Sequence, residues 1–397
     1  MEKLTSHWRG IILVSAFLIT AGSLSAFPNA TNCSHLVKLN LPHTSVTSAQ
    51  YVAVGGFSLP PDSPPPSSDF FKAFNKLPAF CRVEGVIHPT IDSHIGFEVW
   101  LPESDWNGKY EGAGNGGFGG SINYYRLAEA VNAGYAGSST DTGHTGTSGE
   151  VSWATGHREK IIDFDYRAIH LTAKTAKSII SAFYGKPVTR SYFSSCSNGG
   201  RQGLMEAQRY PEDYDGILAG APWNPGTLSS SLLGVRATND ESALNLNASN
   251  PNLKPFGQRG GKLIIFHGEY DGPLQTIKYY ESVVSTLGLV TANNFLQLYI
   301  VPGMGHCEGG TIAGDFGQRL APQDDPEHSI LMALEQWVER GVAPEKIIAT
   351  KYKIDGFRES GTVRTRPICP YPQNVIYSGG GSVDDAHNYS CTIPPKR

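Results

Sequence analysis

The sequence predicts an α/β protein with a mostly parallel central sheet and helices on both faces. Three observations lead there. Short apolar runs alternate with longer helix-spaced segments between residues 96 and 340, and Gly, Pro and Asp turn signals separate them. With 397 residues and 40% apolar content, the chain can bury a large core. The 45 Gly and 26 Pro imply many turns and long loops around it.

The elements follow in order. Gly96–Leu101 (GFEVWL) reads as a strand and is soon followed by the glycine loop Gly112–Gly120. Asp163–Tyr184 carries apolar residues at helical spacing, Val188–Phe193 is short and β-prone, and Gly203–Tyr210 is helix-like. Lys262–His267 (KLIIFH) and Leu296–Val301 (LQLYIV) are apolar strands. His328–Arg340 is an amphipathic helix that Gly341 is placed to terminate. Pro60–Ser68, the one low-complexity stretch, reads as an exposed loop. No clean linker interrupts the pattern, so residues 27–397 are expected to form one domain.

A net charge of −4 argues against a nucleic-acid partner held by phosphate neutralisation. At the N-terminus, Lys3 and Arg9 precede the apolar run Ile11–Ala21 and the small-residue stretch Ser23-Leu24-Ser25-Ala26. That is the layout of a secretory signal peptide, assigned to residues 1–26, and the run is short for a membrane span of roughly 20 residues. The expected protein is secreted, extracellular or periplasmic, with no membrane association once the signal is removed.

Export makes the six cysteines readable as disulfides, and none forms a CxxC pair of the kind zinc sites use. Proximity in sequence favours Cys33–Cys81 and Cys369–Cys391, which leaves Cys196–Cys307. Asn29, Asn32, Asn247 and Asn388 begin glycosylation sequons.

The sharpest chemical signal is Phe193-Ser194-Ser195-Cys196-Ser197-Asn198-Gly199-Gly200, at a predicted strand-to-helix junction. A nucleophilic serine needs such a turn, because the bend lifts Oγ clear of the sheet and tolerates only small neighbours. Ser197 is the candidate; Ser195 stands where the usual G-x-S-x-G pattern has its first glycine. A serine also needs a base and an orienting carboxylate, placed in the order Ser, acid, His after later strands. KLIIFH leads into Gly268-Glu269-Tyr270-Asp271-Gly272, and LQLYIV into Pro302-Gly303-Met304-Gly305-His306-Cys307. Asp271 and His306 are therefore the acid and the base. Glu269 competes as acid, and His144, His157 and His267 compete as bases; each reads better as a structural group.

Cys196 precedes the candidate nucleophile and Cys307 follows the candidate base, so a bridge between them would tie the two loops together. Closing a loop of that size contributes about 4–5 kcal/mol in the chain-entropy treatment. For an oxyanion hole, Asn198 N–H is one donor, and Gly117, in the loop Gly112–Gly120, is the other. Gly112, Gly114 and Gly117 also spell G-x-G-x-x-G, so a nucleotide-binding oxidoreductase is a rival reading.

Together these residues resemble the tannase and feruloyl esterase family of secreted α/β-hydrolases, marked by a CS–D–HC constellation with its two cysteines bonded. Here the constellation is Cys196-Ser197, Asp271 and His306-Cys307. WNGKYEGAGNGGFGGSINY, STDTGH, GHREKIIDFDYRAIH, CSNGGRQGLMEAQRYPEDYDGILAGAPW and RPICPYPQ also look like family sequence.

The resemblance implies the α/β-hydrolase fold and a serine carboxylic ester hydrolase acting through an acyl-enzyme. It implies small aromatic ester substrates, feruloyl, hydroxycinnamoyl, galloyl or terephthaloyl, in some cases attached to plant polysaccharide or tannin. Family members usually carry a large lid between the strand ending near Trp223 and the strand bearing the acid, commonly with a structural calcium. Here residues 224–260 fill that interval without an Asp-rich ligand run, so a minimal lid, no calcium and no other cofactor are expected. The alternative is a catalytically silent scaffold that binds phenolics or wall polysaccharide.

Overall fold

The computed structural model describes residues 30–61, 76–224, 246–318 and 325–394, together with Met1, Ser63 and Phe74. The expected signal peptide, most of Pro60–Ser68 and residues 225–245 of the shortened interval lie outside the described residues.

The nine strands β1 (Thr44–Val52), β2 (Phe80–Ile87), β3 (Ile95–Pro102), β4 (Lys109–Gly112), β5 (Ala136–Thr140), β6 (Arg190–Cys196), β7 (Gly216–Gly220), β8 (Lys262–Gly268) and β9 (Leu296–Val301) form one sheet. Its order is β1-β2-β3-β5-β4-β6-β7-β8-β9. The three pairings from β1 to β5 are antiparallel, and every pairing from β5 through β9 is parallel. In the parallel half, successive residues serve opposite faces. Phe193, Ile217, Leu263 and Ile265 enter one core cluster; Tyr192, Leu218, Ile264 and Phe266 enter another. Burial on both faces explains why these strands read as unbroken apolar runs.

Helices α1 (Tyr124–Asn132), α2 (Ala168–Tyr184), α3 (Asn198–Arg209), α4 (Leu274–Leu287) and α5 (Ile330–Arg340) cover the two faces. α2 and α3 pack with the first cluster through Ala173, Ile179 and Leu204, and α5 packs with the second through Ile330, Leu334 and Trp337. The Ser329 side chain accepts from Met332 N–H and fixes the start of α5, and Gly341, at φ 72°, ends it. Two departures from expectation matter. β6 begins at Arg190 rather than Val188, because pairing with β4 starts at Lys109↔Arg190. α3 begins at Asn198, five residues before the expected Gly203, for reasons that lie in the site. Beyond the sheet, β10 (Ile347–Tyr352) pairs with β11 (Thr362–Ile368), and β12 (Asn374–Tyr377) with β13 (Tyr389–Thr392). The Cys369–Cys391 bridge joins the ends of these two hairpins, and Cys33–Cys81 pins the N-terminal segment to β2.

A buried polar cluster joins α2 to α3. His170 Nδ1 lies 2.5 Å from Asp213 Oδ2 and its ring stacks on Tyr210 at 3.7 Å. Lys177 Nζ donates to the Asp213 carbonyl. Glu206 points into the same space, and neither of its carboxyl oxygens meets an N–H or O–H donor. Burial, then repulsion from Asp213, push the Glu206 carboxyl well above the usual carboxylate range, against the opposing pull of Lys177. Its environment therefore favours the neutral form of the Glu206 carboxyl. Since folding raises its pKa, its stabilising contribution is complete below the unfolded value and fades as pH rises through the folded one. Glu206→Gln should match the parent in Tm at pH 5 and exceed it at pH 8 by roughly 1–2 °C, corresponding to about 1 kcal/mol. Thermal melts at the two pH values check this, and a loss at both would show that the carboxyl is needed in charged form.

Candidate active site

Ser197 sits at the junction of β6 and α3 with φ 64° and ψ −125°, a conformation that a non-glycine residue adopts only under constraint. The constraint is visible. Its N–H donates to Gly220 O at the end of β7 (2.9 Å), and its carbonyl accepts from Arg201 N and Trp223 N (both 3.1 Å). α3 then passes so close to the sheet that a Cβ on Gly199 would collide with Ser195 Oγ, and one on Gly200 with Gly220 O. Those glycines weaken the helical signal, yet only they allow the helix to start here. Ser195 is thereby placed in the strand with its hydroxyl packed under the turn, so it is no rival nucleophile.

The side chains of Asp271 and His306, the candidate acid and base, come together. β8 ends in a tight turn, Glu269–Asp271, and Asp271 Oδ2 lies 2.6 Å from His306 Nδ1. Two further bonds stitch this turn to the histidine loop: Gly303 N–H donates to Glu269 Oε2 (2.9 Å) and Tyr270 N–H to Met304 O (3.0 Å). Glu269 is thus a structural acceptor, not the acid beside His306. Cys196 and Cys307 are bonded across a Cα–Cα distance of 6.0 Å, which ties the residue before Ser197 to the residue after His306. The His306 side chain is 51% exposed, so its outer face is open to a substrate, while Cys307 is buried.

Asn198 opens α3, where the first amides have no partner within the helix. Its side chain is fixed by the fully buried Arg201, whose Nε donates to Asn198 Oδ1 (2.7 Å). Arg201 also reaches Asp165 Oδ1 (3.0 Å), Phe164 O (3.1 Å) and Leu246 O (3.1 Å). Burial holds the Asp165 carboxyl up at about 6 despite the guanidinium, and burial lowers the pKa of Arg201. The glycine loop is held against α3 by a second pair: Asn115 N–H donates to Gln202 Oε1 (3.0 Å), and Gln202 Nε2 donates to Asn115 Oδ1 (3.3 Å). Gly117 lies two residues on at φ 56°, with its α-carbon against Ser148.

The remaining histidines divide. His144 Nε2 contacts Phe118 O (2.8 Å) and its ring stacks on Trp153, and His157 pairs with Asp92 near the surface. His267, set aside on sequence, proves different: its Nε2 lies 3.0 Å from Asp271 Oδ2. The G-x-G-x-x-G spelling lacks the context of a dinucleotide loop. Gly112 and Gly114 pack against Tyr214 and Gly199, and the next helix starts only at Tyr124, capped by Asn123. Among the described residues, His170, Glu206 and Asp213 have the spacing of metal ligands. His170 and Lys177 already engage Asp213 there.

This geometry has relatives. The family model for tannase and feruloyl esterase matches residues 81–233 and 235–392. The chain belongs to the tannase and feruloyl esterase family. An uncharacterized esterase of Xanthomonas campestris pv. campestris is 29% identical over 561 residues, covering 98% of this chain and 95% of the relative. A protein named probable feruloyl esterase B-2, from Aspergillus terreus, is 26% identical over 502 residues, with 90% and 94% covered. Both alignments are longer than the 397 residues of this chain, so these relatives hold segments with no counterpart here. Among solved structures, feruloyl esterase B from Aspergillus oryzae superposes with a TM-score of 0.80 at 23% identity, covering 91% of this chain and all of that one. Tannin acyl hydrolase from Aspergillus niger gives 0.67 at 17%, covering 92% and 95%. These likenesses establish the α/β-hydrolase fold.

The bridge between the two loops yields a test. Replacing Cys196 and Cys307 together by Ser should lower kcat/KM on a simple ester by about tenfold or more and should lower Tm, since the covalent tie at the junction is lost. Unchanged turnover in the folded double variant would show that the hydrogen bonds to Glu269 and Tyr270 suffice to hold the histidine loop.

Proposed function

We propose that this protein hydrolyses esters of small aromatic acids, hydroxycinnamic or gallic, by a serine acyl-enzyme mechanism. The observation that carries this is the Asp271–His306 hydrogen bond, with His306 joined through Cys307–Cys196 to the constrained Ser197. In this reading Ser197 Oγ attacks the ester carbonyl and His306 Nε2 takes its proton. Asp271 meanwhile keeps the Nδ1–H tautomer in line and stabilises the imidazolium. The backbone N–H groups of Asn198 and Gly117 receive the developing oxyanion. His306 returns the proton to the leaving alcohol, and a water activated the same way then releases the acid and restores Ser197.

The aromatic acyl preference rests on the family and on the relatives named feruloyl esterase. Tannin or plant wall polysaccharide is the proposed carrier of the ester. The proposed setting is outside the cell. Three disulfides and the N-terminal signal pattern support it, and among the described residues no helix is long and apolar enough to cross a membrane. A short lid is part of the same proposal. The two family matches meet at residue 234, inside the 224–260 interval. That interval carries no run of acidic ligands for calcium, so the proposed reaction uses no metal and no organic cofactor.

Two measurements test the proposal. Methyl ferulate and methyl gallate hydrolysis by the parent and by Ser197→Ala should show turnover of at least one ester, lost by about a thousandfold or more in the variant. Exhaustive chelation should leave the parent rate within about twofold, for want of a carboxylate ligand set in the interval. No turnover from folded, disulfide-intact protein would favour the binding scaffold instead.

A further inference from the structure

Asp271 is contacted by two imidazoles through the same oxygen. Oδ2 lies 2.6 Å from His306 Nδ1 and 3.0 Å from His267 Nε2. His267 is the penultimate residue of β8, is buried, and has its other nitrogen, Nδ1, 2.8 Å from Thr276 Oγ1 in the first turn of α4. At 3.0 Å the Nε2 contact falls short of hydrogen-bond geometry, and this buried nitrogen makes no hydrogen bond. Asp271 is therefore the acceptor within its reach. Burial lowers the pKa of His267 against the pull of Asp271, so the ring is neutral and carries one proton. If Thr276 O–H donates to Nδ1, that proton sits on Nε2 and faces the carboxylate.

We propose that His267 is a positioning residue for the acid: its Nε2–H holds Asp271 from behind while Asp271 holds His306 from the front. This rests on the reading of Asp271 and His306 as acid and base. A neutral donor in this place has two effects. It fixes the carboxylate rotamer, so that Oδ2 stays aimed at His306. It also disperses part of the carboxylate charge, which limits how strongly Asp271 favours the protonated form of His306.

The surroundings leave few other groups to do this. Asp271 and His306 are the charged or titrating neighbours that act on His267. The facing residue on β9 is Ile300, α4 presents the uncharged Thr276, and the Glu269 carboxylate is engaged by Gly303 N–H. Just beyond the adjacent strand β7, the backbone contributes Ala221 N–H, which donates to Phe266 O.

The sign of the effect follows. Without the Nε2–H donor the Asp271 charge is less dispersed, the imidazolium is favoured more, and the acid limb of kcat/KM moves to higher pH. The experiment compares the disulfide-intact parent with His267→Gln, His267→Asn and His267→Leu. Gln can place an amide N–H where Nε2 lies, whereas Asn is too short to reach and Leu has no donor. His267→Gln should keep kcat within about threefold of the parent, and His267→Asn and His267→Leu should lose about tenfold, with the acid limb raised by about 0.5 pH unit or more.

The midpoint at which the His306 ring protons titrate, followed by NMR, should move the same way in the Asn and Leu variants. That readout does not depend on turnover, so it judges His267 even if Ser197-dependent hydrolysis is absent and the functional reading fails. An unmoved midpoint in His267→Asn, or a Gln variant no better than Asn, would overturn the proposal. Pairing Gln with Asn keeps the test intact should the Leu variant fail to fold.

Discussion

The bond between Cys196 and Cys307 spans 111 residues and joins the turn at Ser197 to the loop of His306. β6 delivers Cys196 and Ser197, and β9, three places along the sheet, leads to the loop of His306 and Cys307. Parallel strands fix the height of these loops but not their lateral approach. The covalent tie supplies that approach, and its neighbours take up the strain. Both Ser197 and Cys307 lie at positive φ, 64° and 67°, as does Ala221 beyond β7. Each such residue costs of order 1–3 kcal/mol, so the surrounding hydrogen bonds must over-determine the conformation for it to persist. They do: Ser197 uses both its N–H and its carbonyl on Gly220, Arg201 and Trp223.

Beneath the turn, the Arg201–Asp165 pair is buried on both sides, with no exposed side-chain surface on either residue. A buried ion pair is weak evidence of stability, since desolvation cancels much of the attraction. Its geometry suggests another use. Asp165 belongs to a π-helical turn, Asp163–Arg167, that shifts the register just before α2. Through Arg201 that turn is fixed to Asn198 and to Leu246 O, on the far side of the 224–260 interval. One side chain thus relates the start of α3, the start of α2 and the return of the chain toward β8. Apolar residues of the same volume could fill the space, but they could not specify these directions.

Much of this was legible in the sequence. The parallel strands declared themselves because both faces are buried, and the order Ser197, Asp271, His306 follows from where such strands end. The cysteine pairing was recoverable because two pairs are close in sequence. What escaped was whatever depends on contact between distant segments. In an antiparallel arrangement β1 alternates partly buried and exposed residues and β2 buried and partly buried ones, a weaker signal than a continuous apolar run. The first turn of α3 was legible as a strand-to-helix junction but not as helical pattern, because Gly199 and Gly200 read locally as poor helix formers, and their closeness to Ser195 and Gly220 explains them. His267 looked like an ordinary strand residue. Its nearness to Asp271 comes from the tight turn after Gly268, which folds position 271 back over position 267.

The same separation of local from distant constraints bears on the 224–260 interval. Asn224 Oδ1 accepts from Ala248 N–H at 3.0 Å, so the chain departs after β7 and is back at the point of departure 24 residues later. Leu246 and Ala248 are already buried on return, and Leu246 holds Arg201 through its carbonyl. A segment whose two ends are pinned together transmits little of its own length to the sheet, because the entropy of closing a loop grows only with the logarithm of its length. The sheet, the turn at Ser197 and the Asp271–His306 pair can then be common to chains with long and short inserts at this place. In the proposed enzyme such an insert would govern which acyl groups are held against Ser197, while the chemistry stays with residues that the sheet positions.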